Sequence, residues 1–331
     1  MANKHASLDA LFSDIADAIR EKTGETTSIA AYYFPDMIRE MLQVIPPPAY
    51  LTFSSPSSFT LKVNDETKHW NGTLEYSTDT STWTTWDGTT TLSSATSGSD
   101  NVLYLRGTGN TVITGNSSNY KWVLTGTDIA CNGNIETLLD YVTVESGEHP
   151  AMVSHCYLSM FNGCTGLTQA PMLSATTLTD YCYYRMFEGC TSLTQAPSLP
   201  AMTLGAYCYY RMFYGCTNLT QAPALPATTL SDYCYFAMFS GCTSLTQIPS
   251  LPATTLKTSC YQQMFYCCTS LKLSETQTGE YTQEYRIPSS GTGTTASTAF
   301  SLMFFSTGGT FTGTPEINTT YYLSNSNTIV R

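Results

Sequence analysis

The sequence predicts a mixed α and β fold: an N-terminal helical segment, a small all-β sandwich-like domain, and an α/β solenoid of 26-residue units with end caps. Three observations support this prediction. Apolar residues near the start recur with the period of a helix, and the next segment alternates apolar and polar residues with the period of a strand. A phenylalanine then returns every 26 residues through the middle of the chain.

The helical segment is predicted over residues 1–45. Its first helix has Ser7 as N-cap and Gly24 as stop signal, and a second helix begins at Pro35. The segment is too short for a core of its own, so its apolar stripe predicts a partner. That partner is a second copy of the chain, a larger assembly, or the body of the same chain. A stiff proline linker follows over residues 46–49.

The all-β domain is predicted over residues 50–127. The segments LTFSSPSSFTLKV, TLEYSTD and NVLYLRG alternate at period two, and an Asn-Gly and an Asp-Gly pair mark turns. All four tryptophans fall in this domain, at Trp70, Trp83, Trp86 and Trp122. They are interpreted either as core residues or as a surface that stacks on sugars. Residues 128–151 are predicted to cap the first repeat.

Residues 152–274 contain five copies of one unit. The phenylalanine column is Phe161, Phe187, Phe213, Phe239 and Phe265. Such a period is typical of solenoids, and 26 residues are too few for a four-stranded propeller blade. Tyr183, Met186, Phe187 and Cys190 have the i, i+3, i+4, i+7 spacing of one helix face, and an extended segment follows. One short helix and one short strand per unit predict a leucine-rich-repeat-like coil.

The C-terminal residues 275–331 are predicted to cap the solenoid. Phe300, Met303 and Phe304 imitate the aromatic and methionine positions of a unit and indicate a degenerate repeat. Solenoids need such atypical end units to cover their terminal cores.

Positions on the predicted outer helix face differ between units, whereas the inner columns are almost identical. The variable positions are rich in Tyr and Arg, which are enriched in binding hot spots. They predict a ligand-contacting surface formed by Tyr184, Arg185, Glu188, Tyr210, Arg211, Tyr214, Phe236 and Tyr266. Two alternatives remain open: a solvent-exposed face that varies freely, or a contact with another subunit.

Eleven of the 12 cysteines lie in the repeats, in two main columns eight residues apart. That spacing does not suit metal ligation, and disulfide frameworks are typical of smaller secreted domains. The cysteines are therefore predicted to be small buried apolar groups, folded in a reducing cytoplasm. Cys267 departs from the pattern because it stands where the other units have glycine.

Composition and motifs argue against several functions. A net charge of −11 with 14 Lys and Arg gives no electrostatic means of binding nucleic acid. No apolar run reaches the ~20 residues that span a bilayer, so we expect no membrane insertion. The sequence contains no GxSxG, HExxH or P-loop motif. We therefore expect a non-enzymatic protein with no catalytic residue, no metal and no cofactor.

The unit MFxGCTSLTQAPxLPATTL resembles the BspA-type leucine-rich repeats of bacterial surface and prophage-encoded proteins. The segments IADAIREKTGETTSIAAYYFPDMI and WNGTLEYSTD...LYLRGTGN resemble parts of phage tail-associated proteins. The resemblance implies a phage tail fibre or tail-tip receptor-binding protein, located in the virion tail and made in the host cytoplasm. It implies adhesion to a bacterial surface glycan or protein and attachment to other tail proteins through residues 1–45. A homo-oligomer such as a trimer is part of the same expectation.

Two other functions remain open from the sequence. One is a bacterial cell-surface leucine-rich-repeat adhesin, which an export or wall-anchoring signal would favour. The other is a purely structural tail component that binds no receptor.

Overall fold

A computed structural model of the chain describes residues 50–330. The predicted helices over 1–45 and the proline linker over 46–49 lie outside the described residues. Strands make up 25% of the described part and helices 4%, in several small sheets of which none is closed. The predicted fold class, with its α/β solenoid, is therefore wrong: no described repeat unit contains the helix that the prediction gave it.

Between residue 50 and the repeats the chain forms nine strands. They are β1 (Leu51–Ser55), β2 (Thr60–Val63), β3 (Thr73–Ser77), β4 (Thr84–Trp86), β5 (Leu92–Ser93), β6 (Ala95–Ser97), β7 (Asp100–Thr108), β8 (Trp122–Thr125) and β9 (Ile129–Asn132). A 3-10 turn spans Ser118–Tyr120, and helix α1 spans Thr137–Glu145. The strands expected in the three alternating segments are confirmed as β1, β2, β3 and β7.

Six short strands follow. They are β10 (Leu167–Gln169), β11 (Gln247–Pro249), β12 (Leu273–Ser274), β13 (Tyr281–Arg286), β14 (Thr320–Ser324) and β15 (Thr328–Val330). The largest sheet has the order β10-β9-β1-β7-β3-β4, with β6 paired to β7. The others are β5-β2-β8, β12-β14-β13 and β11-β15. Because β10 belongs to the first repeat, the largest sheet runs directly into the repeats.

The tryptophans lie mainly in the core of the strand-rich region. Trp70, Trp86 and Trp122 are buried, and their rings form one chain of contacts with centroid distances of 5.1 and 5.4 Å. Trp83 is half-buried on the surface, with the guanidinium of Arg106 4.1 Å from its ring centroid. The core interpretation therefore holds for three of the four, and only Trp83 remains available to a ligand.

Each repeat unit is a series of turns rather than a helix. In the second unit Tyr181, Arg185 and Gly189, four residues apart, have φ of 57°, 53° and 73°. Between them, Met186 N–H donates to the carbonyl of Tyr183, three residues back, at 3.3 Å. A left-handed residue at every fourth position is incompatible with an α-helix, whose residues all have negative φ.

Alternate backbone N–H groups donate to the next unit instead of along the chain. Arg185 N–H donates to Tyr210 O at 2.8 Å, and Phe187 N–H donates to Met212 O at 2.9 Å. The same bonds recur in every unit, so the units lie on one another in register; residues 152–274 are called the repeat stack below. The short strand predicted for each unit is reduced in the second and third units to isolated parallel bridges such as Gln195 to Gln221.

Identical side chains stack inside the repeat stack. The phenylalanine column forms parallel pairs with centroids 5.6–5.8 Å apart, and the buried tyrosine column is spaced by 5.6–5.9 Å. At the start, the rings of Phe53 and Trp122 meet Phe161 edge-on. At the end, Phe304 stacks on Phe265 at 5.5 Å, and Tyr285 covers Phe304 edge-on. Both ends of the aromatic core are therefore closed by atypical residues.

The repeat cysteines are free and buried, except for the half-buried Cys267. The predicted buried role is confirmed, and the structure adds a hydrogen bond to it. Cys190 Sγ donates to Phe161 O in the preceding unit at 3.1 Å, and three later cysteines do the same. Burial raises the pKa of Cys216 to about 12, so the thiol keeps the proton that it donates.

A buried carboxylate links α1 to the first repeat. Glu136, next to α1, is fully buried and accepts hydrogen bonds from Ser174 Oγ at 2.5 Å and from His149 Nδ1 at 2.8 Å. Both bonds reach Oε2, whereas Oε1 is buried without a partner in the described part of the chain. The buried Glu136 side chain therefore depends on Ser174 and His149, because a buried charge without partners is costly.

Candidate functional site

Two columns of half-buried aromatic rings run along one side of the repeat stack. We call them together the aromatic ribbon, formed by Tyr181, Tyr207, Tyr233, Tyr184, Tyr210 and Phe236. Within each column the rings stack nearly parallel, with centroids 4.6–4.8 Å apart and interplanar angles of 4–7°. His155 extends the first column by stacking on Tyr181 at 4.7 Å.

The two columns lie side by side. Rings of the same unit are 5.7–6.0 Å apart and tilted by 41–50°. The 4.6–4.8 Å spacing along each column is set by the backbone bonds between units, because consecutive units follow the ~4.8 Å repeat of hydrogen-bonded strands. Each ring covers the face of its neighbour, so the ribbon presents ring edges and hydroxyl groups outward. A ligand therefore meets a row of edges, not a single open ring face.

The ribbon hydroxyl groups are neutral donors and acceptors. Burial raises the pKa of Tyr184 and Tyr207 above the usual tyrosine value. Both groups therefore keep their protons at neutral pH, and each can donate one hydrogen bond and accept others. This chemistry suits polyhydroxylated or polar ligands.

Two arginines border the ribbon, and their surroundings differ. Arg185 Nη2 donates to Glu188 Oε1 at 2.8 Å, and Nε donates to the other carboxylate oxygen. This bidentate pair raises the pKa of the Arg185 guanidinium. In the next unit Tyr214 stands in place of Glu188, and the Arg211 guanidinium lies 3.9 Å from its ring centroid. The second arginine thus has an aromatic partner instead of an anionic one.

The predicted surface is only partly brought together. Tyr184, Tyr210 and Phe236 form one column of the ribbon, and the two arginines with Glu188 and Tyr214 lie beside it. Tyr266 lies two units beyond Tyr214, with the buried Ser240 between them in its column, and it stacks on Phe305 at 5.3 Å. Tyr266 therefore belongs to the C-terminal end and not to the ribbon.

Sequence reasoning missed one whole column of the ribbon. Tyr181, Tyr207 and Tyr233 were not among the predicted contacts, although they occupy equivalent positions in three units. The signal was available: the column is aromatic in three successive units and changes at its ends to His155 and Ser259. It has three residue types in the five units, against four in each predicted column, and it lies three residues before one of them.

Two carboxylates of the strand-rich region, Asp79 and Asp87, have structural roles in turns. Asp79 Oδ1 accepts hydrogen bonds from the N–H groups of Ser81 and Thr82, and Asp87 caps the turn at Thr89. These amide bonds lower the pKa of Asp79 to about 2, so it remains a carboxylate at neutral pH. Among residues 50–330, no three His, Cys, Asp or Glu side chains come together as a metal site.

Comparisons with protein families, with curated proteins and with solved structures find no match for this chain. In the part of the chain that the structure describes, no helix combines the length and apolar character needed to cross a membrane. The feature of the described residues that points to a function is therefore the geometry of the ribbon.

Proposed function

We propose that this chain is a non-enzymatic binding protein that adheres to a bacterial surface glycan or protein through the aromatic ribbon. The observation that carries the proposal is the ribbon itself: six half-buried rings in two stacked columns, at positions that vary between otherwise nearly identical units. Packing explains the constant inner columns, and it leaves the variable outer columns unexplained. Tyrosine-rich surfaces are typical of binding sites because the ring is rigid, amphipathic and loses little entropy on binding.

The location proposed with this function is a phage tail, as a fibre or tail-tip protein made in the host cytoplasm. The support is the resemblance of the repeat unit and of the two preceding segments to tail-associated proteins. Attachment through residues 1–45 and a trimeric state belong to the same proposal. Antibody labelling of intact phage particles in the electron microscope tests the location separately from the binding activity.

A cell-adherence assay tests the binding function. Labelled full-length protein is mixed with a panel of bacterial strains, and the proposal predicts saturable adherence to some strains and none to others. The variant Tyr184→Ala/Tyr210→Ala is expected to weaken adherence at least tenfold, because hot-spot tyrosines contribute about 2 kcal/mol each. Near-ultraviolet circular dichroism checks that the inner columns remain folded.

A matched control comes from another column of the same units. Thr177 and Thr203 are exposed and lie outside the ribbon, so Thr177→Ala/Thr203→Ala should leave adherence unchanged. Protein that adheres to no strain would favour a purely structural role. If Tyr184→Ala/Tyr210→Ala adheres as strongly as Thr177→Ala/Thr203→Ala, the binding surface lies outside the ribbon. Trp83 is then the next candidate.

A further inference from the structure

Among residues 50–330, Arg211 is a cation without an anionic partner at the edge of the ribbon. The carboxylates of Asp180 and Asp232, next to ribbon tyrosines, accept backbone N–H bonds and form no salt bridge within that part of the chain. Arg211 Nε is buried with no hydrogen-bond partner among residues 50–330, and no carboxylate of that part forms a salt bridge with it. The equivalent arginine of the preceding unit, Arg185, is fully occupied by Glu188. The difference results from one substitution in the repeat, Tyr214 at the position of Glu188.

The aromatic partner holds the guanidinium without neutralising it. A guanidinium over an aromatic face is attracted by the ring quadrupole, and the positive charge is retained. The 3.9 Å contact with the Tyr214 centroid fixes the plane of the group, which reduces the entropy lost when a ligand binds. The terminal nitrogens are not among the buried unpartnered atoms, so they remain accessible as donors.

We propose that Arg211 is an anion subsite of the aromatic ribbon and selects a ligand that carries a singly charged carboxylate or phosphodiester group. This inference deepens the proposed function and rests on it: the ribbon contacts the neutral part of a glycan, and Arg211 contacts its acidic group. A guanidinium binds either anion through two parallel N–H bonds.

The repeat provides its own pair of test variants. Tyr214→Glu recreates in this unit the carboxylate that occupies Arg185 in the preceding one and should neutralise Arg211. Glu188→Tyr does the reverse, since it should release Arg185 and create a second anion subsite. Both side chains occur naturally in this column, so both variants are expected to fold. Arg211→Gln removes the charge directly and serves as the third variant.

Binding is measured by calorimetry with three probes of equal length. They are an oligogalacturonate, its carboxyl-reduced neutral counterpart, and an oligomer of glycerol phosphate. The wild-type protein is expected to bind at least one acidic probe about tenfold more tightly than the neutral one. That preference should disappear in Tyr214→Glu and Arg211→Gln, and it should increase in Glu188→Tyr. Raising the salt concentration should weaken only the arginine-dependent part.

The outcomes separate this inference from the proposed function. Binding of the oligogalacturonate alone identifies a carboxylate, and binding of the glycerol phosphate oligomer alone identifies a phosphodiester. Equal binding of acidic and neutral probes, no binding of either acidic probe, or unchanged preference in Tyr214→Glu would overturn the anion subsite. Cell adherence of the same variants is measured in parallel, so adherence of Tyr214→Glu that equals that of the wild type refutes the subsite and leaves the proposed function standing.

Discussion

Replacing Gln262 and Gln263 separately with glycine tests the turn geometry of the repeats. The two residues are neighbours in the fifth unit, of the same type and both half-buried. They differ in backbone conformation: Gln263 has a φ of +56°, whereas Gln262 is not among the left-handed residues. We expect Gln263→Gly to stabilise the protein and Gln262→Gly to destabilise it.

The magnitudes follow from backbone energetics. A left-handed conformation costs a residue with a β-carbon roughly 1–2 kcal/mol, and glycine avoids that cost. Glycine also loses about 0.4–1 kcal/mol through the greater freedom of the unfolded chain. The net expectation is a gain of about 0.5–1 kcal/mol at Gln263 and a loss of similar size at Gln262. In an α-helix both changes would cost about 1 kcal/mol.

Urea denaturation of the full chain, followed by near-ultraviolet circular dichroism, measures the free energy of unfolding. Alanine at each position serves as the control, because the difference between alanine and glycine variants removes the contribution of the lost side chain. Glycine should be the more stable of the two at position 263 and the less stable at position 262. Lower stability of glycine at both positions would refute the left-handed turns and favour a helix.

The thiols, a buried carboxylate and a turn carboxylate provide further tests. A thiol reagent should label Cys267 alone in the native protein, because the other 11 cysteines are buried. Cys267→Gly should therefore abolish rapid labelling. Rapid labelling of a second cysteine would contradict the burial of the others. Ser174→Ala should lower the free energy of unfolding by about 2 kcal/mol because the fully buried Glu136 side chain loses one of the two hydrogen bonds that it accepts, and the exposed Glu145→Ala should have almost no effect. Asp79→Asn should lower the denaturation midpoint at neutral pH, and this difference should shrink as the pH falls from 3.8 through about 2, because the lowered pKa stabilises the folded state only above that range. A difference that does not depend on pH would contradict the last expectation.

The spacing of Phe161 and its equivalents was enough to predict that the units stack with identical side chains in contact. It could not predict the path of the chain within a unit. Tyr183, Met186, Phe187 and Cys190 fit a helix of period 3.6, and over eight residues a turn that repeats every four residues gives almost the same apolar pattern. A segment of eight residues does not distinguish these two periods. The helix was therefore only one of two backbone paths that fit the apolar pattern.

The left-handed positions explain why the turns are hard to predict from local sequence. Gly189 is a residue that favours positive φ, but Arg185 and Tyr181 in the same unit are not. Their conformation is stabilised by bonds to the next unit and by ring stacking, which are contacts between residues about 26 apart. Local propensity carries no information about such contacts.

Variation between units was enough to select a column of residues that lie together, and it was not enough to identify which side chains touch. The Tyr184 column was found because it varies, and it lies in the ribbon. Arg185 pairs with Glu188, and Arg211 lies over Tyr214. This difference follows from the sequence only when it is known that side chains three residues apart touch in each unit.

The bonds between units are the same at every junction, and this has a consequence for the gene. Deletion or duplication of one 26-residue stretch leaves each remaining junction with the same donors and acceptors, and both ends keep their covers. The length of the ribbon and the order of its tyrosines and arginines can therefore change in whole steps of about 4.8 Å without redesign of the interior. The outer surface of the repeat stack would then change by rearranging units as well as by substituting single residues.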